Sequence, residues 1–281
     1  KGSLLEFQFN ESLRNLCTSV LFLDKNSSVG KFLLTSSIPG EGKTLTSILL
    51  AKFLADLGSK VILIDSDLRK PQIHKRFGLD NIVGLSNYLV SNANIKDILQ
   101  DVQDIKNLKV ICSGTRPPNP INLLTSHRLD QLFLELEELE DIDIILIDSP
   151  PNIGLSDSTL LSKYCDGTIC VTSLDKVNKN LPPIVIESIL SKGSKVAGII
   201  ANSLIKEVSS SGSSYQGGYG YSYGYGEAAY TTYTEYANEE NKTLKKDESE
   251  IKSNKFKNLI TNLSIKNIKS LVNKFINWIN E

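Results

Sequence analysis

A doubly wound, mostly parallel α/β sheet is the fold this chain predicts. Two observations carry the expectation. Six short Val/Ile/Leu-rich runs alternate with amphipathic stretches between residues 31 and 203. The runs are near-continuously apolar, which suits parallel strands covered on both faces rather than strands with one wet face. Strands alternating with helices then give the layered class.

The elements follow in order. Asn10 is expected to cap a helix over Glu11–Leu23. Strands are expected at Lys31–Ser36, Lys60–Asp65, Leu108–Cys112, Asp143–Asp148, Gly167–Thr172 and Lys195–Ala201. Helices are expected at Thr44–Leu57, Leu123–Leu139, Asp157–Lys163 and Pro183–Lys192. Gly58 and Gly193 follow two of them and supply left-handed caps. The chain divides into an N-terminal helical segment (1–30), an α/β domain (31–208), a Tyr-rich segment (209–237), a charged linker (238–254) and a basic amphipathic helix (255–281).

Composition excludes several classes. The 281 residues carry 31 basic and 32 acidic side chains, so net charge gives no case for nucleic-acid binding. Cys17, Cys112, Cys165 and Cys170 form no C-x-x-C pair and lie in apolar runs or a loop, which predicts reduced thiols and a cytosolic compartment. No apolar run approaches ~18 residues, so within this sequence neither a membrane span nor a signal peptide is expected. The chain begins at Lys1 and contains no Met, which predicts a fragment or a processed chain, with a membrane segment one candidate for what precedes it.

The first strand runs into S-I-P-G-E-G-K-T, residues 37–44, and then a helix. This is G-x-x-x-x-G-K-[ST] with Ser37 in place of the first glycine. Gly40 and Gly42 let the backbone fold into a nest of N–H groups, and the helix N-terminus adds partial positive charge. Glu41 lies within that nest, Lys43 reaches the β- and γ-phosphates, Thr44 ligates Mg²⁺, and the Leu45 N–H meets the α-phosphate. ATP with Mg²⁺ is therefore the expected cofactor pair. Two more strands end in carboxylates: V-I-L-I-D-S-D-L-R-K-P supplies Asp65 and Asp67, and I-I-L-I-D-S-P-P supplies Asp148. Ligands of open α/β sheets bind at the carboxyl ends of strands, so these three are expected to converge on the Mg²⁺.

Eight of the ten tyrosines fall between Tyr215 and Tyr236, at Tyr215, Tyr219, Tyr221, Tyr223, Tyr225, Tyr230, Tyr233 and Tyr236. Glycine and serine between them keep the backbone loose and the phenols in water, as a substrate requires. A low-complexity, self-associating linker is the competing reading. Tyr88 and Tyr164 lie in patterned segments and read as structural.

Together, S-I-P-G-E-G-K-T, V-I-L-I-D-S-D-L-R-K-P and I-I-L-I-D-S-P-P resemble the bacterial tyrosine kinases of polysaccharide export, over about Glu11 to Tyr236. The resemblance implies a P-loop kinase on the cytoplasmic face of the inner membrane. It would work with a polysaccharide co-polymerase segment, fused upstream or separate, and phosphorylate its own tyrosine cluster in trans within a homo-oligomer. It further implies Lys43, Asp65 and Asp67 as catalytic residues, with Asp65 accepting the phenol proton. Thr44, Asp67 and Asp148 are implied as the metal set. G-T-R-P-P-N-P-I-N-L-L-T-S at 114–126 resembles the family's G-x-x-P-P-N-P segment, and G-I-I-A-N at 198–202 places Asn202 near the adenine. Septum-positioning and chromosome-partitioning ATPases share the three motifs but carry a loop lysine where this chain has Ile38-Pro39-Gly40. The family's E-x-x-R-x-x-R assembly motif reads Glu11-x-x-Arg14-x-x-Cys17 here, and a thiol cannot make arginine's bidentate pairs. An ATP-binding scaffolding subunit without kinase output is the alternative function. Beyond the tyrosines, Phe256, Leu259, Ile260, Leu263, Ile268, Leu271, Val272, Phe275, Ile276 and Ile279 recur at helical spacing among lysines. That stretch suits either the anionic membrane surface or docking on a protein.

Overall fold

The computed structural model describes residues 4–23, 28–91, 93–139 and 141–202. The tyrosine cluster, the charged linker and the basic amphipathic stretch all lie outside the described residues.

Helix α1 spans Leu4–Leu21. Asn10 therefore sits inside it rather than at its cap. Strand β1 (Gly30–Ser36) leads through the glycine loop into α2 (Lys43–Asp56). Strand β2 (Val61–Asp65) is followed by three short helices, α3 (Ile73–Phe77), α4 (Leu85–Val90) and α5 (Ile95–Ile98). Strands β3 (Leu99–Asp101) and β4 (Leu108–Ile111) come next. Helices α6 (Pro120–Leu124) and α7 (His127–Glu137) precede β5 (Ile144–Asp148). The described chain closes with α8 (Asp157–Ser162), β6 (Gly167–Ser173), α9 (Leu181–Leu190) and β7 (Val196–Asn202).

The sheet order is β3-β4-β2-β5-β1-β6-β7. Among the described strands only β3 runs antiparallel, against β4. Its three half-buried or exposed residues carry no apolar run, which is why no periodicity announces it. The six anticipated strands are parallel and lie within a residue or two of their expected bounds.

Alternate residues of each central strand feed opposite faces. Phe32, Leu34, Leu63 and Leu146 pack with α2 and with Cys17 and Val20 of α1. Leu33, Ile62, Ile64, Ile145 and Ile147 pack instead with Leu85, Tyr88, Leu132 and Leu136 from α4 and α7. Burial of both faces explains the uninterrupted apolar runs.

The helix expected over Leu123–Leu139 is two helices. Ser126 is extended at the break (φ −81°, ψ 152°). The Thr125 hydroxyl donates to the carbonyls of Ile121 and Asn122, and that of Ser126 to Leu123. Local hydroxyl bonds of this kind compete with the helical ladder. Tyr88 is fully buried, and Tyr164 stacks on Phe133 at 4.8 Å while its hydroxyl donates to Asp130 at 2.6 Å.

Candidate functional site

Parallel strands deliver their carboxyl ends to one edge of the sheet, and five of them build the site. The loop after β1 turns through Gly40 (φ +83°) and Gly42 (φ +89°), a left-handed conformation that favours glycine. Gly42 also leaves no room for a side chain, because a Cβ there would stand 2.1 Å from Asn202 Nδ2. Asn202 ends β7 and donates that amide to the Glu41 carbonyl at 2.8 Å. Gly42 caps α2 with no side-chain hydrogen bond. The first-turn N–H groups of a 14-residue helix therefore have no side-chain partner at the cap, the arrangement an anion meets at a helix start.

Glu41 turns inward. Its carboxyl is buried and accepts from the N–H of Ile38 at 2.7 Å and of Ser173 at 3.2 Å. Burial pushes it up to about 7, against the pull of those donors. Any contact of Glu41 with a ligand is left to its backbone; its side chain braces the loop against the end of β6.

Lys43 is buried at the start of α2. Its Nζ lies 2.9 Å from Asp148 Oδ1 and 3.3 Å from Thr44 Oγ1. Ser47, one turn on, donates its hydroxyl to the same Asp148 oxygen at 3.0 Å. Asp148 thus faces a cation and a hydroxyl from one helix.

Asp65 and Asp148 are direct partners in the β2–β5 register. Asp65 is fully buried and points elsewhere. One oxygen accepts from the Asp67 N–H at 3.3 Å, the other from Gln72 at 3.1 Å and Ile73 at 3.0 Å. Burial first, then the charge of Asp148, push its pKa up to about 8. The expected proton acceptor is therefore enclosed, both of its oxygens taken up by backbone N–H groups of the chain after β2. Asp67 accepts from the N–H groups of Arg69 and Lys70 at 3.2 and 2.9 Å.

The convergence expected of three carboxylates is only partial. Among the described residues no group of three His, Cys, Asp or Glu side chains is placed to hold a metal. A Mg²⁺ that keeps waters and takes substrate phosphate oxygens needs no such cage. The oxygen donors Thr44, Asp67 and Asp148 suit that hard cation in kind.

Spacing in the sequence could not have found several partners here. Arg69 makes a bidentate pair with the buried carboxylate of Asp157, both bonds 3.1 Å, across 88 residues. Asn152 N–H donates to Ser36 at 2.8 Å and Ile153 N–H to Ser37 at 3.2 Å, binding the S-P-P-N-I turn to the glycine loop. The segment after β4 is clamped from α4 and the loop before it: Asn81 Oδ1 accepts from Gly114 N–H at 2.9 Å, and Ser86 donates to the Thr115 carbonyl at 2.6 Å. On α1, Glu11 and Arg14 pair with each other at 2.7 Å on the exposed face. Cys17 is fully buried, and burial pushes its thiol up to about 11.

Comparison with known proteins identifies the family. The AAA domain family matches residues 36–180. The tyrosine-protein kinase YwqD of Bacillus subtilis is 35% identical over 193 residues, covering 69% of this chain and 80% of the relative. A putative tyrosine-protein kinase in the cps region of Klebsiella pneumoniae is 31% identical over 197 residues, but these span 70% of this chain and only 27% of that relative. The kinase domain of the Escherichia coli tyrosine kinase ETK superposes with a TM-score of 0.67 at 28% identity, over 75% of this chain and 80% of that structure.

Proposed function

The chain belongs to the bacterial tyrosine-protein kinases, and from that premise we propose that it transfers the γ-phosphoryl group of Mg-ATP to its own tyrosine cluster, regulating polysaccharide export. The observation that carries the reading is Lys43 set between Asp148 and Thr44 at the start of a helix whose glycine cap has no side-chain bond. Phosphoryl transfer of this kind depends chiefly on positioning and charge neutralisation.

A bond forms between the phenol oxygen and the γ-phosphorus, the bond to the β–γ bridging oxygen breaks, and ADP leaves. The phenol proton passes to the Asp65 carboxylate. Lys43 neutralises the β/γ oxygens, the N–H groups of Gly42 to Leu45 cradle the phosphates, and Asn202 borders the base. Thr44, Asp67 and Asp148 would hold Mg²⁺, which when bound supplies further neutralisation of the phosphate charge. Asp65 also has a positioning role: its three backbone contacts fix the turn that presents Asp67. Its raised pKa narrows the gap to a phenol near ~10.

The catalytic unit is 31–208. Its acceptors are Tyr215, Tyr219, Tyr221, Tyr223, Tyr225, Tyr230, Tyr233 and Tyr236 of a neighbouring copy in a homo-oligomer. A co-polymerase segment is the further partner, fused or separate; the different lengths of the relatives suit both arrangements. The site of action is the cytoplasmic face of the inner membrane. Among the described residues no helix is long and apolar enough to cross a membrane, so attachment falls to that partner or to residues 255–281. With Cys17 committed to the core, assembly through α1 rests on Glu11 and Arg14.

Incubation of the full chain with Mg-ATP, followed by phosphotyrosine mapping, tests the reading. Modification within 215–236 is expected. Nucleotide binding without any phosphotyrosine would favour the scaffolding subunit.

A further inference from the structure

The loop between β4 and α6 presents an arginine on a fixed stem. Arg116 is exposed and makes no hydrogen bond or ion pair among the described residues. The backbone just before it is tightly held. Gly114 turns through φ +78°, and a Cβ there would stand 2.2 Å from Asn87 Oδ1. Its N–H donates to Asn81 Oδ1 at 2.9 Å, and its carbonyl accepts from Asn81 Nδ2 at 3.0 Å. Thr115 donates its N–H to Asn87 Oδ1 at 3.3 Å and accepts Asn87 Nδ2 on its hydroxyl at 3.1 Å. Pro117 and Pro118 follow, with φ fixed by their rings.

Topology sets that stem on a definite side of the site. Ile111 of β4 is level with Ile64 of β2, which puts Cys112 level with Asp65. The loop leaves from there and ends in α6. That helix packs against α8, whose Asp157 holds Arg69. Residues 113–119 therefore flank the turn that carries Asp67. In the sheet order β6 and β7, the side given to the base, lie beyond β1; β4 lies on the opposite side, beyond β5 and β2. A phosphate chain running from Asn202 past Lys43 to Asp148 points its γ end toward β2 and β4. Attacking and leaving oxygens stand roughly in line, so the acceptor enters from the side away from the base. Arg116 stands on that side.

The acceptor segment carries the complementary charge. Residues 209–240 hold four carboxylates, Glu227, Glu235, Glu239 and Glu240, and no lysine or arginine. Glu235 lies between Tyr233 and Tyr236, whereas Tyr215, Tyr219, Tyr221 and Tyr223 have no carboxylate within three residues. A guanidinium pairs with carboxylates bidentately and stacks on aromatic faces. Exposed apolar surface adjoins the loop at Ile82 and Val83, next to the Gly84 that abuts Gly114, and at Ile121 of α6.

We propose that Arg116 and the loop around it dock the acidic half of a neighbouring copy's tyrosine segment, selecting Tyr233 and Tyr236 over Tyr215, Tyr219, Tyr221 and Tyr223. The proposal rests on the kinase reading above.

Site-resolved initial rates of the full chain with Mg-ATP, read by mass spectrometry, test it. Arg116→Gln is expected to slow Tyr233 and Tyr236 about 3- to 10-fold, the order of a solvent-facing charge pair with a bidentate contact, and to hold the four earlier tyrosines within about twofold. Replacing all four glutamates by Gln should give the same pattern, and adding Arg116→Gln to that variant should cost nothing more. Even slowing of every tyrosine, unchanged rates, or additive losses overturns the proposal and leaves the kinase in place. Calorimetry should show the affinity for a non-hydrolysable Mg-ATP analogue unchanged in Arg116→Gln; a loss there would assign the residue to the nucleotide instead. Absence of phosphotyrosine from the unmodified chain would remove the kinase reading and the docking surface with it. Arg116 is exposed, so the variant is expected to fold.

Discussion

Asp65 and Asp148 end neighbouring strands with nearly the same sequence, V-I-L-I-D-S and I-I-L-I-D-S, and stand opposite each other in the sheet register. Their surroundings differ. Asp148 faces the ammonium of Lys43 and the hydroxyl of Ser47, both from α2. Asp65 takes its hydrogen bonds from backbone N–H groups of the chain that follows its own strand. The first is tied to the phosphate loop by charge; the second fixes the geometry of the turn that holds Asp67. Two carboxylates with one signature thus divide the work, one electrostatic and one architectural.

The largest expected effect is at the cation. Lys43→Met should lower autophosphorylation by at least ~10²-fold. It should also lower Tm, since the buried Asp148 loses its charge partner. Full phosphotyrosine on a blot of this variant would overturn the site.

The paired substitutions test the division directly. Asp148→Asn keeps an acceptor for Ser47 but leaves the buried Lys43 ammonium without its charge partner, and should cost ~10²-fold in initial rate together with a fall in Tm. Asp65→Asn leaves one carbonyl oxygen where three N–H groups converge, and should cost about 1–3 kcal/mol in denaturant unfolding. Should the two variants show the same ratio of lost rate to lost stability, the comparison fails.

Arg69→Lys is a smaller probe of the Asp65 side. It replaces a bidentate pair to the buried Asp157 with a single contact, and about 1 kcal/mol of stability should go. Mg-ATP affinity should hold, which calorimetry can check.

The remaining effect is in pH. Asp65 is raised to about 8 and Glu41 to about 7, each chiefly by burial. For an acid raised above its unfolded value the folded state holds its proton longer. The associated stability is complete near pH 4 and is lost as pH rises through about 7 to 8. Tm should therefore fall by a few degrees between pH 6 and 8.5, less steeply in Glu41→Gln. A rise over that interval would contradict the environments described for both groups.

Much of this was legible in the residues. S-I-P-G-E-G-K-T located the loop because glycine, lysine and threonine do their work through local backbone geometry. The six parallel strands were legible because burial on both faces demands apolar runs. The edge strand β3 was not, having only three residues and no apolar pattern. Nor was the break at Ser126, where hydroxyls turn onto their own backbone within a pattern that stays helical. Cys17 reads as a defect in a charged motif, yet it is a core residue of α1.

By itself, then, the sequence determined the layered α/β class, the phosphate loop and the acidic strand ends, since each is written in contiguous residues whose chemistry is local. The tertiary structure alone decided that Asp148 meets Lys43 while Asp65 meets backbone, that Glu41 turns inward, that Arg69 finds Asp157 and that Lys176 reaches Gly40. Those contacts join residues up to 136 positions apart. They depend on strand order and register, which a run of apolar residues requires to exist but does not specify.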